Sequence, residues 1–290
     1  MRKLDPNNPK LKATFLLLLT ALLWSTGGIL IKLINLDPIA IAGFRSLFAA
    51  IIFLPFIGNP FKLKLNKLKI LCALCYVGNV TLIVVATKYT TAANAILLQY
   101  TAPIYVTLFS ASFLGERISK REYITVIGVL IGMVLFAYDG LTNKGMFGNV
   151  LAMLSGMFFA GIILLSKKID TSSPIEPLFL GNLLTALLCS PFFFTQSVST
   201  SDFRMLLVLG VFQLGIPYVL YAFAIRYISA IQTSLITTLE PILNPIWVFL
   251  VTSELPSPLS LAGGLIVISF IASNYILLGI RHHKAQFVET

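Results

Sequence analysis

The stretch from Ala86 to Ser119 occurs twice. Laid over the later part of the chain it falls on Ala224 to Ser257, and eight of its 34 positions coincide: Ala86/Ala224, Tyr89/Tyr227, Ala92/Ala230, Leu97/Leu235, Pro103/Pro241, Ile104/Ile242, Glu116/Glu254 and Ser119/Ser257. Each copy opens on a basic residue followed by tyrosine, carries a proline near its middle and closes at a glutamate. Apolar segments that share this punctuation read as an internal duplication. The fold must therefore be one that the chain builds twice.

What is duplicated is membrane-spanning material. Of 290 residues, 57% are hydrophobic and 11% charged, and the mean hydropathy of +0.92 lies far outside the range of a soluble domain. A helical crossing needs about 20 apolar residues. Ten such segments can be drawn, at 13–33, 38–57, 68–87, 91–114, 121–138, 146–166, 174–195, 205–225, 230–252 and 259–280. Turn chemistry separates them, as in Asn35-Leu-Asp-Pro38, Gly58-Asn-Pro60, Asp139-Gly140, Ser172-Ser-Pro174 and Pro256-Ser-Pro258. The expected fold is an all-α integral membrane protein of ten transmembrane helices in two five-span repeats, 13–138 and 146–280. Five is odd, so the second repeat enters the bilayer upside down relative to the first. Other landmarks recur at similar offsets: Pro38 and Pro55 match Pro174 and Pro191, and Trp24-Ser25 matches Phe159-Ala160.

The net charge of +10 sets orientation in a chain of this kind and gives no reason to expect a nucleic-acid partner. Cytoplasmic loops hold the excess of lysine and arginine. With the N-terminus inside, sixteen of these residues fall on the cytoplasmic side and four, Lys32, Lys88, Lys144 and Arg204, on the outside. Both termini are thus expected in the cytoplasm. The opening MRKLDPNNPKLK looks like a charged leader, but the apolar run behind it is too long for a signal peptide and lacks a small-residue cleavage site, so it reads as a retained first span. Cys72 and Cys75 form a CxxC with no second pair and no nearby histidine. They and Cys189 read as small packing residues; no metal or cofactor is expected.

Trp24, Arg45 near the start of the second span, the mid-span Pro103 and Pro241, and the Gly115-Glu116 and Ser253-Glu254 pairs that close spans four and nine together resemble the EamA family of the drug/metabolite transporter superfamily. The likeness covers about Ala13 to Ile280. It implies two inverted EamA repeats, a bacterial inner-membrane location, and movement of amino acids or other small metabolites. The second half departs from the pattern, with Gly181 or Asn182 opposite Arg45 and Phe159 opposite Trp24. The halves need not contribute equally to a site.

Arg45 lies roughly 10 Å from the outer end of its span, at about 1.5 Å per residue. An arginine at that depth needs a partner or a wet cavity; it either contacts a substrate carboxylate or ties helix ends together. Glu240, just before Pro241, is the only acidic residue near the middle of any span. Its candidate roles are proton carrier, amine ligand, counter-ion to Arg45, or partner to backbone groups freed by the proline. Pro103 and Pro241 each remove a helix hydrogen bond and are candidate gating kinks, or simply bends. Trp24, Tyr76, Asn79, Asn94, Gln99, Tyr100, Tyr218, Tyr221 and Trp247 are polar or aromatic residues able to line a cavity. Gly128 and Gly132 form a GxxxG for close packing within the fold or between protomers; Gly27-Gly28 lets span one bend or pack, and Glu116 and Glu254 suit cap roles. Oligomeric state is left open.

An intramembrane hydrolase would need a histidine beside its nucleophile or two membrane carboxylates, and the spans hold neither. An inverted repeat with a midplane site is the recurring build of secondary transporters. One arginine and one glutamate suit a zwitterion better than a multiply charged phosphate ester. The expected function is a secondary transporter exporting amino acids or similar zwitterionic or amphipathic metabolites across the lipid bilayer by alternating access, with protons as a possible coupling ion. The expected substrate-binding residues are Trp24, Arg45, Asn79, Gln99, Tyr100, Tyr218 and Glu240, and the gating residues Pro103 and Pro241. A drug/proton antiporter, a channel and a scaffold are the alternatives.

Overall fold

The computed structural model describes residues 8–60, 63, 65–138, 145–169, 174–252, 258–259 and 261–273, whose regular elements are all helical, with no strand among them. The helices are α1 (Pro9–Trp24), α2 (Gly27–Leu33), α3 (Pro38–Ile57), α4 (Lys67–Tyr89), α5 (Ala92–Gln99), α6 (Ala102–Leu114), α7 (Lys120–Ala137), α8 (Met146–Lys168), α9 (Glu176–Cys189), α10 (Thr200–Val208), α11 (Ile216–Ala224), α12 (Ala230–Thr237), α13 (Leu239–Thr252) and α14 (Leu261–Ser273). A 3-10 turn, Ser190–Phe194, prolongs α9, and a π-helical turn, Leu209–Gly215, joins α10 to α11. Among the described residues seven helical stretches are long and apolar enough to cross a membrane: Pro9–Leu33, Pro38–Ile57, Lys67–Tyr89, Ala92–Leu114, Met146–Lys168, Glu176–Phe194 and Thr200–Ala224.

The polar residues between apolar runs start these helices. Asp37 accepts the Ile39 amide at 2.8 Å with Pro38 in the first turn, where a missing N–H costs nothing. Asn8, Asn66, Thr91 and Ser229 cap α1, α4, α5 and α12 in the same way. Ser119 and Glu122 form a reciprocal capping box at α7. Glu116 acts across the fold: its carboxylate accepts the Ala230 amide at 3.2 Å, and burial pushes its pKa above the usual carboxylate value.

Three stretches that read as single apolar runs are broken. Span one turns at Ser25-Thr26, the run 92–114 at Tyr100-Thr101 and the run 230–252 at Thr238. Pro103 and Pro241 therefore lie in the first turn of a second helix rather than kinking a continuous one. That is where proline is tolerated, because the first-turn N–H has no intrahelical acceptor.

α4 runs along α8 and α9, α3 along α9, and α1 along α11, while α5 and α6 lie against α8. Small residues set these approaches. A Cβ at Gly28 would meet Asn244 Nδ2 and Ile96 Cδ1, both at 2.8 Å, so close packing explains this glycine. Gly128 sits against the Phe270 ring, and a Cβ at Gly132 would come within 2.9 Å of the Gly263 carbonyl, which makes the GxxxG a contact of α7 with α14 inside the fold. Cys72 is fully buried with its Sγ 3.6 Å from Ser166 Oγ, and Cys75 packs on Gly161. Gly156 in α8 leaves no room for a Cβ against the Gln99 carbonyl at the end of α5. Since backbone cannot swing aside, Gly156→Val is expected to cost about 3 kcal/mol, read as a clearly lowered melting temperature; a midpoint equal to wild type would refute that packing.

Glu254, Lys144, Lys62, Lys64, the Asp139-Gly140 and Ser172-Ser173 turns, Pro256-Ser257 and residues 274–280 of the last expected span lie outside the described residues.

Candidate functional site

The breaks surround a cleft. It is partly open and narrow, with a cavity volume of about 40 Å³, and is walled by Trp24, Arg45, Asn79, Gln99, Gln213, Tyr218 and Glu240 among others. Six of the seven residues expected to bind substrate therefore share one cavity. The seventh, Tyr100, stands behind it and donates its hydroxyl to Glu240 Oε2 at 2.6 Å.

Arg45 is 2% exposed. Its Nη2 donates to the Val80 carbonyl at 2.8 Å and its Nη1 to Gln213 Oε1 at 3.4 Å, while Nε has no protein partner. Both acceptors are neutral. It is not tied to a helix end: Val80 lies within α4, and Gln213 in the π-helical turn. That turn precedes Pro217, which has no N–H to return to the Gln213 carbonyl four residues back, so the helix widens there. Gln213 Nε2 also donates to the Trp24 carbonyl, 3.3 Å away at the end of α1.

Beside the arginine lies a set of neutral polar groups. Asn79 Nδ2 donates to the Tyr218 hydroxyl at 3.0 Å, and Gln99 Nε2 donates to Asn79 Oδ1 at 2.7 Å and to Ser155 Oγ at 3.2 Å. Ser155 Oγ is also 3.1 Å from the Asn79 carbonyl. The other wall is aromatic. Trp24 packs on Tyr218 at 4.8 Å and edge-on to Phe159 at 5.6 Å.

Opposite charges line the cleft without meeting. Among the described residues no ion pair joins Arg45 to Glu240, and Glu240 accepts from a tyrosine rather than from backbone at its proline. Besides Arg45 Nε, the donors Trp24 Nε1 and Asn244 Nδ2 are buried without partners. Pro103 and Pro241 are buried at the adjoining breaks and do not wall the cleft. Gln213 on the wall, and Ser155 behind it through Gln99 and Asn79, are residues of the candidate site that the sequence reading missed. A glutamine in an apolar run four residues before a proline was the available signal for Gln213. Among the described residues no cluster of histidine, cysteine or acidic side chains could hold a metal.

Stacked apolar helices around a buried polar cleft define a multi-pass helical membrane protein. The chain belongs to the EamA-like transporter family, whose model matches residues 11–138 and again 146–276. Its relatives are membrane transporters. It is 25% identical over 262 residues to an uncharacterized transporter of Archaeoglobus fulgidus, covering 87% of this chain and 92% of the relative. It is 30% identical over 189 residues to the pseudopaline exporter CntI of Pseudomonas aeruginosa, covering 62% and 65%. An S-adenosylmethionine uptake transporter of Rickettsia felis is 25% identical over 266 residues, covering 87% and 88%. A crystal structure superposes with a TM-score of 0.78 over 92% of this chain and 98% of that one at 17% identity, a likeness of fold alone.

Proposed function

We propose that the chain is a secondary transporter that exports amino acids or similarly small zwitterionic metabolites by alternating access. The observation that carries this reading is the cleft shared by Arg45 and Glu240, each unpaired with the other. A carboxylate on Arg45 would find the unused Nε, and Trp24, whose Nε1 also has no protein partner, walls the same cleft. An ammonium would find Glu240. A buried charge without a counter-charge is costly, so a ligand bearing both signs relieves both costs together. The aromatic wall would take an apolar side chain.

We further assign ten spans in two inverted halves, 13–138 and 146–280. Added to the seven long apolar stretches, α7, the α12–α13 pair and α14 would complete the count. Paired hydrogen bonds support the halves. The register that sets Trp24 on Phe159 sets Thr20 on Ser155 and Lys32 on Lys167, and the register that sets Ala86 on Ala224 sets Asn79 on Pro217 and Thr90 on Ile228. Thr20 donates to the Pro217 carbonyl at 3.2 Å, and its counterpart Ser155 donates to the carbonyl of Asn79, the counterpart of Pro217. Lys32 likewise reaches the Thr90 carbonyl and Lys167 the Ile228 carbonyl, each at 2.8 Å. On this reading both termini face the cytoplasm of a bacterial inner membrane, and the two halves rock about the cleft, with the breaks at Pro103 and Pro241 as hinges. Export is assigned on the likeness to the pseudopaline exporter, 30% identical where the S-adenosylmethionine uptake transporter is 25% identical.

The test is uptake of a labelled amino-acid panel into proteoliposomes, with and without a pH gradient, against empty vesicles. A subset of amino acids accumulating above background is expected; no movement by folded, inserted protein would overturn the assignment. A second reading, exchange of an organic cation for a proton, is favoured by Glu240 lying in the same cleft as Trp24, Phe159 and Tyr218. Tetraphenylphosphonium in the same assay distinguishes it.

A further inference from the structure

A second cavity, of about 100 Å³, lies where α3 finishes and α9 begins. It shares no wall residue with the central cleft. Phe56 and Ile57 form one side, Pro174, Ile175 and Glu176 another, and Phe223 and Arg226 the third. The Phe56 and Phe223 rings meet edge to face at 6.1 Å and are 49% and 38% exposed, so they present an aromatic edge to lipid.

Arg226 is the residue without an answer. Its guanidinium carbon lies 5.9 Å over the Phe223 ring, and its Nε is buried with no partner. Glu176 on the facing wall is already held by Lys69, leaving Arg226 as the uncompensated charge of this cavity. No side chain caps the first turn of α9, which borders the same space.

At the opposite end two of the matching residues have partners within the protein. Phe193, which falls on Ile57 in the register that sets Pro55 on Pro191, stacks on Phe44 at 4.0 Å. Lys88, which falls on Arg226 in the register that sets Tyr89 on Tyr227, donates to the Ile34 carbonyl. At this end the matching arginine keeps an Nε with no protein partner beside a cavity.

We infer that this cavity binds the phosphate of an anionic membrane phospholipid, with Arg226 on the phosphate and the acyl chains along Phe56 and Phe223. Arginine's planar fork suits phosphate oxygens, and basic pockets between transmembrane helices near the membrane surface are a recurring way to hold anionic headgroups. The inference needs only that the chain spans a membrane; it is independent of substrate and of transport direction.

Native mass spectrometry of the full chain in detergent tests it, using phosphatidylglycerol, diacylglycerol of the same acyl chains, and inorganic phosphate. Wild-type protein is expected to retain phosphatidylglycerol about tenfold more than Arg226→Gln does, the order expected for one charge-assisted contact. Arg226→Lys, which keeps the charge and loses the fork, should fall between them. Equal retention in wild type and Arg226→Gln would overturn the site. So would equal retention of phosphatidylglycerol and diacylglycerol by wild type, which requires no variant to fold. Inorganic phosphate binding as tightly as the lipid would show a free-anion site and overturn the lipid assignment. Because lipid retention is read without any flux, its failure leaves the transport reading standing, and the reverse holds as well.

Discussion

Arg45→Ala is expected to reduce uptake of carboxylate-bearing substrates at least about ten- to hundredfold, the range set by the roughly 1.5–3 kcal/mol of a hydrogen bond to a charged group, while the protein still folds. The guanidinium binds only the Val80 carbonyl and Gln213 within the protein. Removing it strands a carbonyl and an amide oxygen but also removes a buried charge, and these effects oppose one another in stability. Transport offers no such offset, because among the described residues nothing else along the cleft walls carries a positive charge. Arg45→Lys should recover little, since a compact ammonium lacks the planar fork that reaches both acceptors on one side and presents Nε on the other. The measurement is proteoliposome uptake beside a melting curve. Wild-type flux in a folded alanine variant would remove Arg45 from the site.

Glu240→Gln is expected to abolish the response of transport to a pH gradient and to spare exchange at equal pH. Among the described residues Glu240 is the one carboxylate on the cleft wall, and its partner is the Tyr100 hydroxyl. A glutamine can accept that same hydrogen bond and has nearly the same shape, so packing should survive. What it cannot do is gain and lose a proton. Intramembrane carboxylates are the usual carriers of protons in transporters. A variant that accumulates substrate in step with the gradient as the wild type does would show that the proton, if there is one, travels elsewhere.

The long helices were legible because bilayer thickness and turn chemistry act locally: α3 begins and ends where Asp37-Pro38 and Gly58 say it should. The helix breaks were not legible as breaks. A proline in an apolar run reads equally as a kink or as the start of a new helix, and only the neighbours packed against Tyr100 and Thr238 decide which. Most of the candidate site was found because a charge or amide in a membrane span is costly and so conspicuous. Gln213 and Ser155 escaped for the opposite reason: they are ordinary polar residues whose place in the site lies in what faces them from other helices, and spacing along the chain does not record that.

Arg45 has an uncharged counterpart. Gly181 or Asn182 stands opposite Arg45 in the second half, both neutral, and Asn182 donates to the Tyr76 hydroxyl at 2.9 Å. Were the two halves identical, a cycle that exchanges their conformations would pass between end states of equal energy. Here the exchange would give an arginine the surroundings of a neutral residue. The two resting states of the proposed carrier are therefore unequal, and an empty molecule would wait with its cleft facing one side of the membrane more often than the other.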